Sequence, residues 1–480
     1  MFISFGTHAE KGGYAELSQA IIEAVQSGRL AANSPLPPSR VLAESLGVSR
    51  DTVVRCYRHL KSLGWIESHS TRGTYITGSA LPPAPAQNRL LDQSRLSRYT
   101  YRFVGHAESD SASAGSVVFS AAPKEFLPNR RWKSVMQQNA EGTSAHEPLY
   151  DRAVLGRSEL RTALSAFLNR SRGIACTADE VAVFNVSFSA LSLICRLFLD
   201  PGDIIAMEEP GFGGVREVAS YLGLQVLPLE LDESGLSVDA LQNSRQQVKA
   251  VYVTANHQEP TGITMTLARR KQLLAWAQKN NAMIIEDDYD GLFHYGANLP
   301  PSLKSMDAQD NVIYLSSFWQ ALYPLTTLCF AVLPLPFVEI VQQAKLRTAS
   351  LTESLPQVAL AEMLDSGYLQ KHVRKVEREL SLRRRTLIYE LKRAFGAQIS
   401  LPSHSCGMTI MARFQNCRDN DLLKAAQQAG LPVVSTDTLY SNVEKRPAGE
   451  LSFYFPGLPE SLVRKTVLNF ASLLGASESG

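Results

Sequence analysis

The sequence predicts a two-part α/β chain: a small helical head closed by a hairpin, then a large domain with a mostly parallel sheet between helices. Three observations predict it. The 480 residues exceed what one hydrophobic core serves, since single cores stop growing at about 250–300 residues. A stretch rich in proline and small polar residues, 78–115, interrupts the chain, and such a composition buries little apolar surface. Beyond it, strand-like apolar runs alternate with longer helical patterns, as in a parallel sheet covered on both faces. The expected domains are therefore 1–77, a linker over 78–115, and 116–480.

The head elements follow in order. Leu17, Ile21, Ile22 and Val25 stand at helical spacing and predict a helix over 14–27 that stops at Gly28. A short helix begins after Pro38 and ends at Gly47, and a turn leads to Ser49, which can cap a third helix carrying Val53, Val54, Tyr57, Leu60 and Leu63 before Gly64. That is helix-turn-helix spacing. Residues 65–68 and 74–77 then predict two short strands around Arg72-Gly73, a wing.

In the large part, strands are expected over 180–184, 204–207, 250–254, 282–286 and 312–315. Several of these runs end in polar residues. In open parallel sheets the ligand crevice lies at the carboxyl ends of the strands, so those residues are the candidates for function. No internal repeat suggests a solenoid on either side of the linker.

Composition narrows the function classes. Apolar residues make up 45% and charged residues 20%, the balance of a globular protein. The first residues lack the basic, apolar and small-residue succession of a signal peptide, and no run reaches the roughly 18 apolar residues of a membrane span. A cytoplasmic protein with no membrane partner is expected. Cys56, Cys176, Cys195, Cys329, Cys406 and Cys417 form no Cys-x-x-Cys pair, so reduced, packed thiols and no metal site are expected.

The net charge of +2 is too small to argue for nucleic acid, because a local basic face matters more than the sum. Between Arg40 and Arg72, five arginines and one lysine stand against Glu44, Asp51 and Glu67, a local excess of +3. Arg50, Thr52, Arg55 and Arg58 occupy the third helix, where a recognition helix needs cations and small polar donors. A charge cluster alone fits an ordinary solvated face better; the order of elements favours DNA. The phrases Leu36-Pro37-Pro38-Ser39-Arg40, Leu42-Ala43, Leu46-Gly47-Val48-Ser49-Arg50, Thr52-Val53 and Arg72-Gly73-Thr74-Tyr75 resemble the GntR-type winged helix-turn-helix. The resemblance implies DNA contacts at Ser39, Arg40, Ser49, Arg50, Thr52 and Gly73. Asn33 departs from the family's usual glycine and touches only a turn.

The large part carries Asp200-Pro201-Gly202-Asp203, Glu209-Pro210-Gly211-Phe212, His257-Gln258-Glu259-Pro260-Thr261-Gly262 and Glu286-Asp287-Asp288-Tyr289-Asp290. These resemble the fold-type I aminotransferases, and with the head the chain is similar to the MocR/GabR class of transcriptional regulators. The resemblance implies a smaller C-terminal α+β subdomain, a head-to-tail homodimer, and pyridoxal phosphate as the family cofactor. In that family Asp287 would hold the pyridine nitrogen, Tyr289 the ring hydroxyl, and Phe212 would stack on the ring. An isolated Asp-Asp-Tyr-Asp run fits a solvated turn equally well; its place after Met283-Ile284-Ile285 favours the site.

The same comparison implies a degenerate site. Where the family has its cofactor lysine, in a phrase of the form Tyr-Leu-x-x-Phe-Ser-Lys, this chain reads Tyr314-Leu315-Ser316-Ser317-Phe318-Trp319-Gln320. An amide nitrogen is not nucleophilic. Trp319, in place of a small serine, could fill cofactor space. Thr327 stands at the phosphate arginine, Val186-Ser187-Phe188 at the glycine-containing phosphate turn, and Glu450 at the substrate-carboxylate arginine. No covalently bound cofactor is expected, and at most weak non-covalent binding of pyridoxal phosphate. Glu450 either meets a cationic effector or faces solvent. Lys304 lies before the strand, toward the sheet edge, and is not expected to substitute for the lysine.

The reading is a regulator that binds double-stranded operator DNA and senses a small molecule without catalysis. The alternatives are a pyridoxal phosphate enzyme using a displaced lysine, and a purely dimerising scaffold whose old pocket is filled by Trp319, Phe188 and Phe212.

Overall fold

The computed structural model describes residues 13–26, 29–69, 73–77, 121–142, 154–293, 300–348, 351–401, 407–415 and 417–475. The chain divides into two compact units, Met1–Leu96 and Ser97–Gly480. Residues 78–115, Arg72 at the wing tip and Cys406 lie outside the described residues.

The head builds three helices, α1 (Tyr14–Gln26), α2 (Ser39–Leu46) and α3 (Arg50–Ser62), and the strands β1 (Pro35–Leu36), β2 (Ile66–His69) and β3 (Gly73–Ile76). Leu17, Ile21, Leu42, Val53, Cys56, Leu60 and Ile76 close one core. Gly47 ends α2 in the left-handed region at φ +66°, its N–H returning to the Ala43 carbonyl, a conformation a side chain would strain. The sheet order is β1-β3-β2, all antiparallel. β1 was not expected, because two residues led by a proline show no period-2 pattern. Asn33 takes φ +62°, and its N–H donates to the Ile76 carbonyl. Asparagine is among the few residues that enter this region readily, so the missing glycine leaves the turn intact.

The second unit is a sheet ordered β4-β11-β10-β9-β8-β5-β6-β7. Its strands are β4 (Val181–Phe184), β5 (Ile204–Glu209), β6 (Gln225–Asp232), β7 (Gly235–Leu236), β8 (Val248–Val253), β9 (Met283–Asp288), β10 (Val312–Ser317) and β11 (Cys329–Val332). The run β10-β9-β8-β5-β6 is parallel, while β11 lies antiparallel to both neighbours. Successive residues feed opposite faces: Ile205, Tyr252 and Ile285 join Leu191, Ile194 and Val218 on one side. Ala206, Val251 and Ile284 join Leu273 and Trp276 on the other. This alternation within fully apolar runs is why the sheet is buried on both faces. The expected strands β9 and β10 run two residues further than read from sequence, so Asp287, Asp288, Ser316 and Ser317 are strand residues and not a turn.

The smaller subdomain pairs β12 (Ile399–Ser400), β13 (Thr409–Phe414), β15 (Glu450–Tyr454) and β14 (Val433–Val434) as an antiparallel sheet. Helices Tyr368–Phe395, Asp419–Gln428 and Glu460–Leu473 accompany it. Phe395, Phe414, Phe453 and Phe470 fill its core, with ring centroids 5.0 Å apart for Phe395–Phe414 and 5.2 Å for Phe395–Phe470. No helix among the described residues is long and apolar enough to cross a membrane.

Candidate functional site

In the head, the expected DNA contacts gather around the start of α3. Ser49 caps the helix: its Oγ accepts from the Thr52 N–H at 3.1 Å and lies 2.9 Å from Thr52 Oγ1. That bond satisfies one orphan donor at the helix start and fixes the direction in which α3 emerges. Arg40, Ser49 and Arg50 are exposed, Ser39 and Thr52 half-buried, and Gly73 sits exposed at the start of β3. Tyr57 Oη donates to the Pro37 carbonyl at 2.7 Å, tying α3 to the entry of α2. Arg55 is exposed but lies over a ring of the head, its guanidinium 4.5 Å from the Tyr14 ring centroid, a cation–π contact. The remaining exposed cations of α3 are Arg50, Arg58 and Lys61, with Arg40 on α2.

In the large unit, the carboxyl ends of β5, β8 and β9 deliver a group of acids. Asp287, 9% exposed, accepts from Tyr252 Oη at 2.6 Å, and burial pushes its carboxyl up to about 7. Burial and the neighbouring Asp287, Asp290 and Glu208 push Glu259 up to about 8. Glu208 accepts from the Thr254 N–H at 3.0 Å and its hydroxyl at 2.5 Å, and is still pushed up to about 7 by burial. Asp288 is fully engaged: Arg172 at 2.7 Å, Tyr314 Oη at 2.5 Å and Asn256 Nδ2 at 2.9 Å all reach it. Asp290 Oδ2 meets His257 Nδ1 at 2.5 Å and accepts from the Gly407 N–H at 2.9 Å. Burial opposes charge on His257, but Asp290 outweighs it and raises the imidazole.

Gln320 lies in the short helix Trp319–Leu322 that follows β10, 5% exposed. Its Oε1 has no hydrogen-bond partner. A Cβ placed on Gly407 would lie 3.4 Å from Tyr289 Oη and 3.6 Å from Gln320 Nε2, so Gln320, Tyr289 and the Asp290-bonded Gly407 meet at one point. The Trp319 ring stacks on Tyr323 at 3.9 Å and 22°. Ser187 opens the helix Ser187–Phe198, with Val186 and Phe188 partly exposed beside it. The Phe188 ring packs edge-on against Phe212 at 5.8 Å. Thr327 is half-buried in the loop before β11.

Glu450 corrects one expectation. It does not face solvent; it is 6% exposed and accepts from Tyr440 Oη at 2.8 Å and from Thr436 Oγ1 at 3.4 Å. Burial raises its carboxyl, and Tyr440, Arg446 and Arg413 oppose the shift. Its requirement for a partner is met within the protein.

Two lysines stand near these elements, Lys304 half-buried and Lys345 buried. Lys304 stands in the helix Leu303–Met306 before β10, with its backbone N–H donating to Glu286 Oε2 at 2.8 Å; burial lowers its amine, and Asp307, Asp310 and Glu180 oppose the shift. Lys345 is fully buried, donates to the Val183 carbonyl at 2.6 Å and lies 4.1 Å from the Phe184 ring centroid. Burial pushes it down to about 8. Sequence reading missed Lys345, Tyr252, Glu208 and the His257–Asp290 pair. The strand ends carrying Glu208 and Thr254 were the available signal; nothing local marks Lys345. Among the described residues no group of three or more His, Cys, Asp or Glu could hold a metal ion.

Residues 127–444 match the family model for aminotransferase class I and II, and residues 13–76 that for bacterial regulatory proteins of the gntR family. The chain is 29% identical over 435 residues to the "Probable rhizopine catabolism regulatory protein MocR" of Rhizobium meliloti, covering 87% of this chain and 85% of that protein. It is 27% identical over 461 residues to the uncharacterized HTH-type transcriptional regulator YdeL of Bacillus subtilis, covering 95% of each. Among solved structures, the kynurenine aminotransferase of Pyrococcus horikoshii superposes with a TM-score of 0.67 at 24% identity, over 74% of this chain and 89% of that one. That last likeness carries the fold alone.

Proposed function

We infer that this chain, which belongs to the aminotransferase class I and II family and carries a gntR-family head, is a DNA-binding transcriptional regulator whose large domain senses a small molecule without transaminating it. The regulator reading is supported by the head and by relatives named as a regulatory protein over 87% of this chain and as an HTH-type transcriptional regulator over 95% of it. The observation that carries the loss of catalysis is the amide at position 320. Fold-type I chemistry needs an amine there to form an imine and move a proton, and Gln320 offers neither.

Pyridoxal phosphate, the usual cofactor of this fold, does not fit the residues present. Thr327 supplies no cation for a phosphate. Val186 and Phe188 flank Ser187 where a close glycine approach would free backbone donors, and the Phe188 ring is committed to Phe212. Each lost charge-assisted bond removes about 1.5–3 kcal/mol. The ring-binding acid Asp287 remains, so at most weak non-covalent binding is expected. The purified protein should show no visible absorption from bound cofactor and no adduct after borohydride reduction. A stoichiometric reducible adduct would sink this reading.

A displaced lysine finds no support. The Lys304 amine has Asp307, Asp310 and Glu180 as its charged neighbours, and the Lys345 amine is held by the Val183 carbonyl. A filled, purely dimerising scaffold is opposed by Gln320 Oε1, which is buried without a partner. The functional layout is a DNA-binding domain over 1–77, a linker over 78–115, and a sensing and dimerising domain over 116–480, acting as a head-to-tail homodimer on operator DNA.

A further inference from the structure

Near the carboxyl ends of the strands, Gln320 Oε1, Asp290 Oδ1 and His257 Nε2 are buried without a hydrogen-bond partner, two acceptors and one imidazole nitrogen. The Asp287 carboxylate has one oxygen committed to Tyr252, and the Glu259 carbonyl accepts from Gln258 Nε2 at 2.6 Å, while among the described residues no hydrogen bond reaches its carboxyl group. The charges acting on both are other carboxylates: Asp288 and Asp290 on Asp287, and Asp287, Asp290 and Glu208 on Glu259. Arg172, the nearby guanidinium, is consumed by Asp288.

A second, independent observation lies beside this group. Gln320 Oε1 is buried without a hydrogen-bond donor, and so is Asp290 Oδ1. The Gln320 amide and the Tyr289 hydroxyl converge on Gly407, whose N–H is bonded to Asp290. A buried acceptor left unpaired is costly, and two here, beside the Asp287 and Glu259 carboxyl groups and with His257 already bonded to the other oxygen of Asp290, call for a donor-bearing cation. A bare metal ion is the poorer fit, because among the described residues no three acidic, His or Cys side chains stand at metal-ligand spacing. An ammonium group reaches acceptors that are further apart, since it carries three N–H donors on one centre.

We propose that the cleft between Asp287, Glu259 and Gln320 binds a protonated primary amine that carries no phosphate and no carboxylate, and that this amine is the effector. The proposal rests on the non-catalytic reading of the same site. The ammonium is placed against Asp287 and Glu259, with the Gln320 carbonyl as a neutral acceptor. An anionic group on the ligand would meet the same acids and be repelled. Glu450 takes no part, because Tyr440 already satisfies it.

The test is calorimetric titration of the full-length protein with 1,4-diaminobutane, phenethylamine, glutamate, inorganic phosphate and pyridoxal phosphate. At least one of the two amines is expected to bind, and glutamate and phosphate are not. Asp287→Asn and Glu259→Gln should each weaken that amine by about tenfold or more, a loss typical of an uncompensated charged contact, while Glu450→Gln leaves it unchanged. Melting curves of each variant confirm that it is folded, and Glu259→Gln, partly solvent-accessible, serves if Asp287→Asn is not. Failure of both amines to bind, or amine affinity unchanged in both variants, overturns the proposal. Operator binding in a gel shift with the unliganded protein is measured alongside: if it persists, the regulator stands and only the effector class falls. A reducible pyridoxal phosphate adduct would instead overturn the non-catalytic reading beneath it.

Discussion

Gln320→Lys would return a nucleophile to the short helix after β10, but not the site around it. An imine forms only when the aldehyde is held within bonding reach, and Thr327, Val186 and Phe188 still offer no phosphate anchor. The single variant should give little stable adduct and no transamination, and adding Thr327→Arg should improve binding more than turnover. Spectral titration of both variants with pyridoxal phosphate gives the order; full transamination by the single variant would mean the pocket was intact apart from its lysine. Asp287 makes a different prediction. Its folded-state value of about 7 lies above the ordinary 3.8, so between those values the folded chain holds a proton that the unfolded chain has lost. Stability contributed by this group therefore falls as pH rises from about 3.8 to about 7. Asp287→Asn keeps an acceptor for Tyr252 and removes the charge. It should raise the melting temperature, with a gain that grows across that window and levels off above it. A gain independent of pH would contradict the burial argument.

At the scale of elements, α3 joins the core of the head to the face proposed to read DNA. Its inner face is Val53, Cys56 and Leu60, all fully buried, and its outer face carries Arg50 and Arg58. Leu60→Ala leaves a cavity and should cost about 2–5 kcal/mol of head stability, read by denaturant unfolding. Ser49→Ala removes the cap on Thr52 at a cost of about 0.5–2 kcal/mol. Arg50→Ala lies outside the core, so melting should not change, whereas operator affinity at fixed salt should drop by about 1–3 kcal/mol if it reads a base edge. Full affinity in a folded Arg50→Ala protein would remove it from the contact set. Arg55→Ala is expected to act on stability through Tyr14 and not on DNA, which separates the two roles of arginines on one helix.

For the whole molecule, the head is basic only locally, so the salt dependence of operator binding should reflect a handful of phosphates. If Arg40 contacts a phosphate, Arg40→Ala lowers the slope of log affinity against log salt by about 1 and weakens all sequences alike. A head-to-tail dimer of the large domain would present two heads to repeated or inverted half-sites. Sedimentation should then show a dimer without DNA, and a single half-site should bind far more weakly than a pair. A monomer at micromolar concentration would overturn that arrangement.

Local chemistry was sufficient for the helix-turn-helix, because each boundary there is written in adjacent residues: Pro38 before α2, Gly47 after it, Ser49 before α3. It was sufficient also for the run of parallel strands, whose apolar character is continuous. The two-residue β1 and the antiparallel β11 were not legible, since strands that short acquire their identity from the neighbour they pair with. The strand ends were misread for the same reason: Asp287 and Asp288 have the composition of a turn, and only the ladder to Leu315 and Ser316 keeps them extended and buried. Tyr252, Glu208 and Glu259 reach Asp287 from strands and loops about 30 to 80 positions away, a proximity no local pattern encodes. Glu450 makes the limit plain. Its charge could be read from the sequence, but whether that charge sought a ligand depended on Tyr440 and Thr436, which only the packing of the C-terminal subdomain brings to it. Residue types determined which side chains the strand ends carry; the tertiary structure decided which of those polar groups are satisfied by neighbours and which, like Gln320 Oε1, have no partner, because partners distant in sequence meet only in the fold.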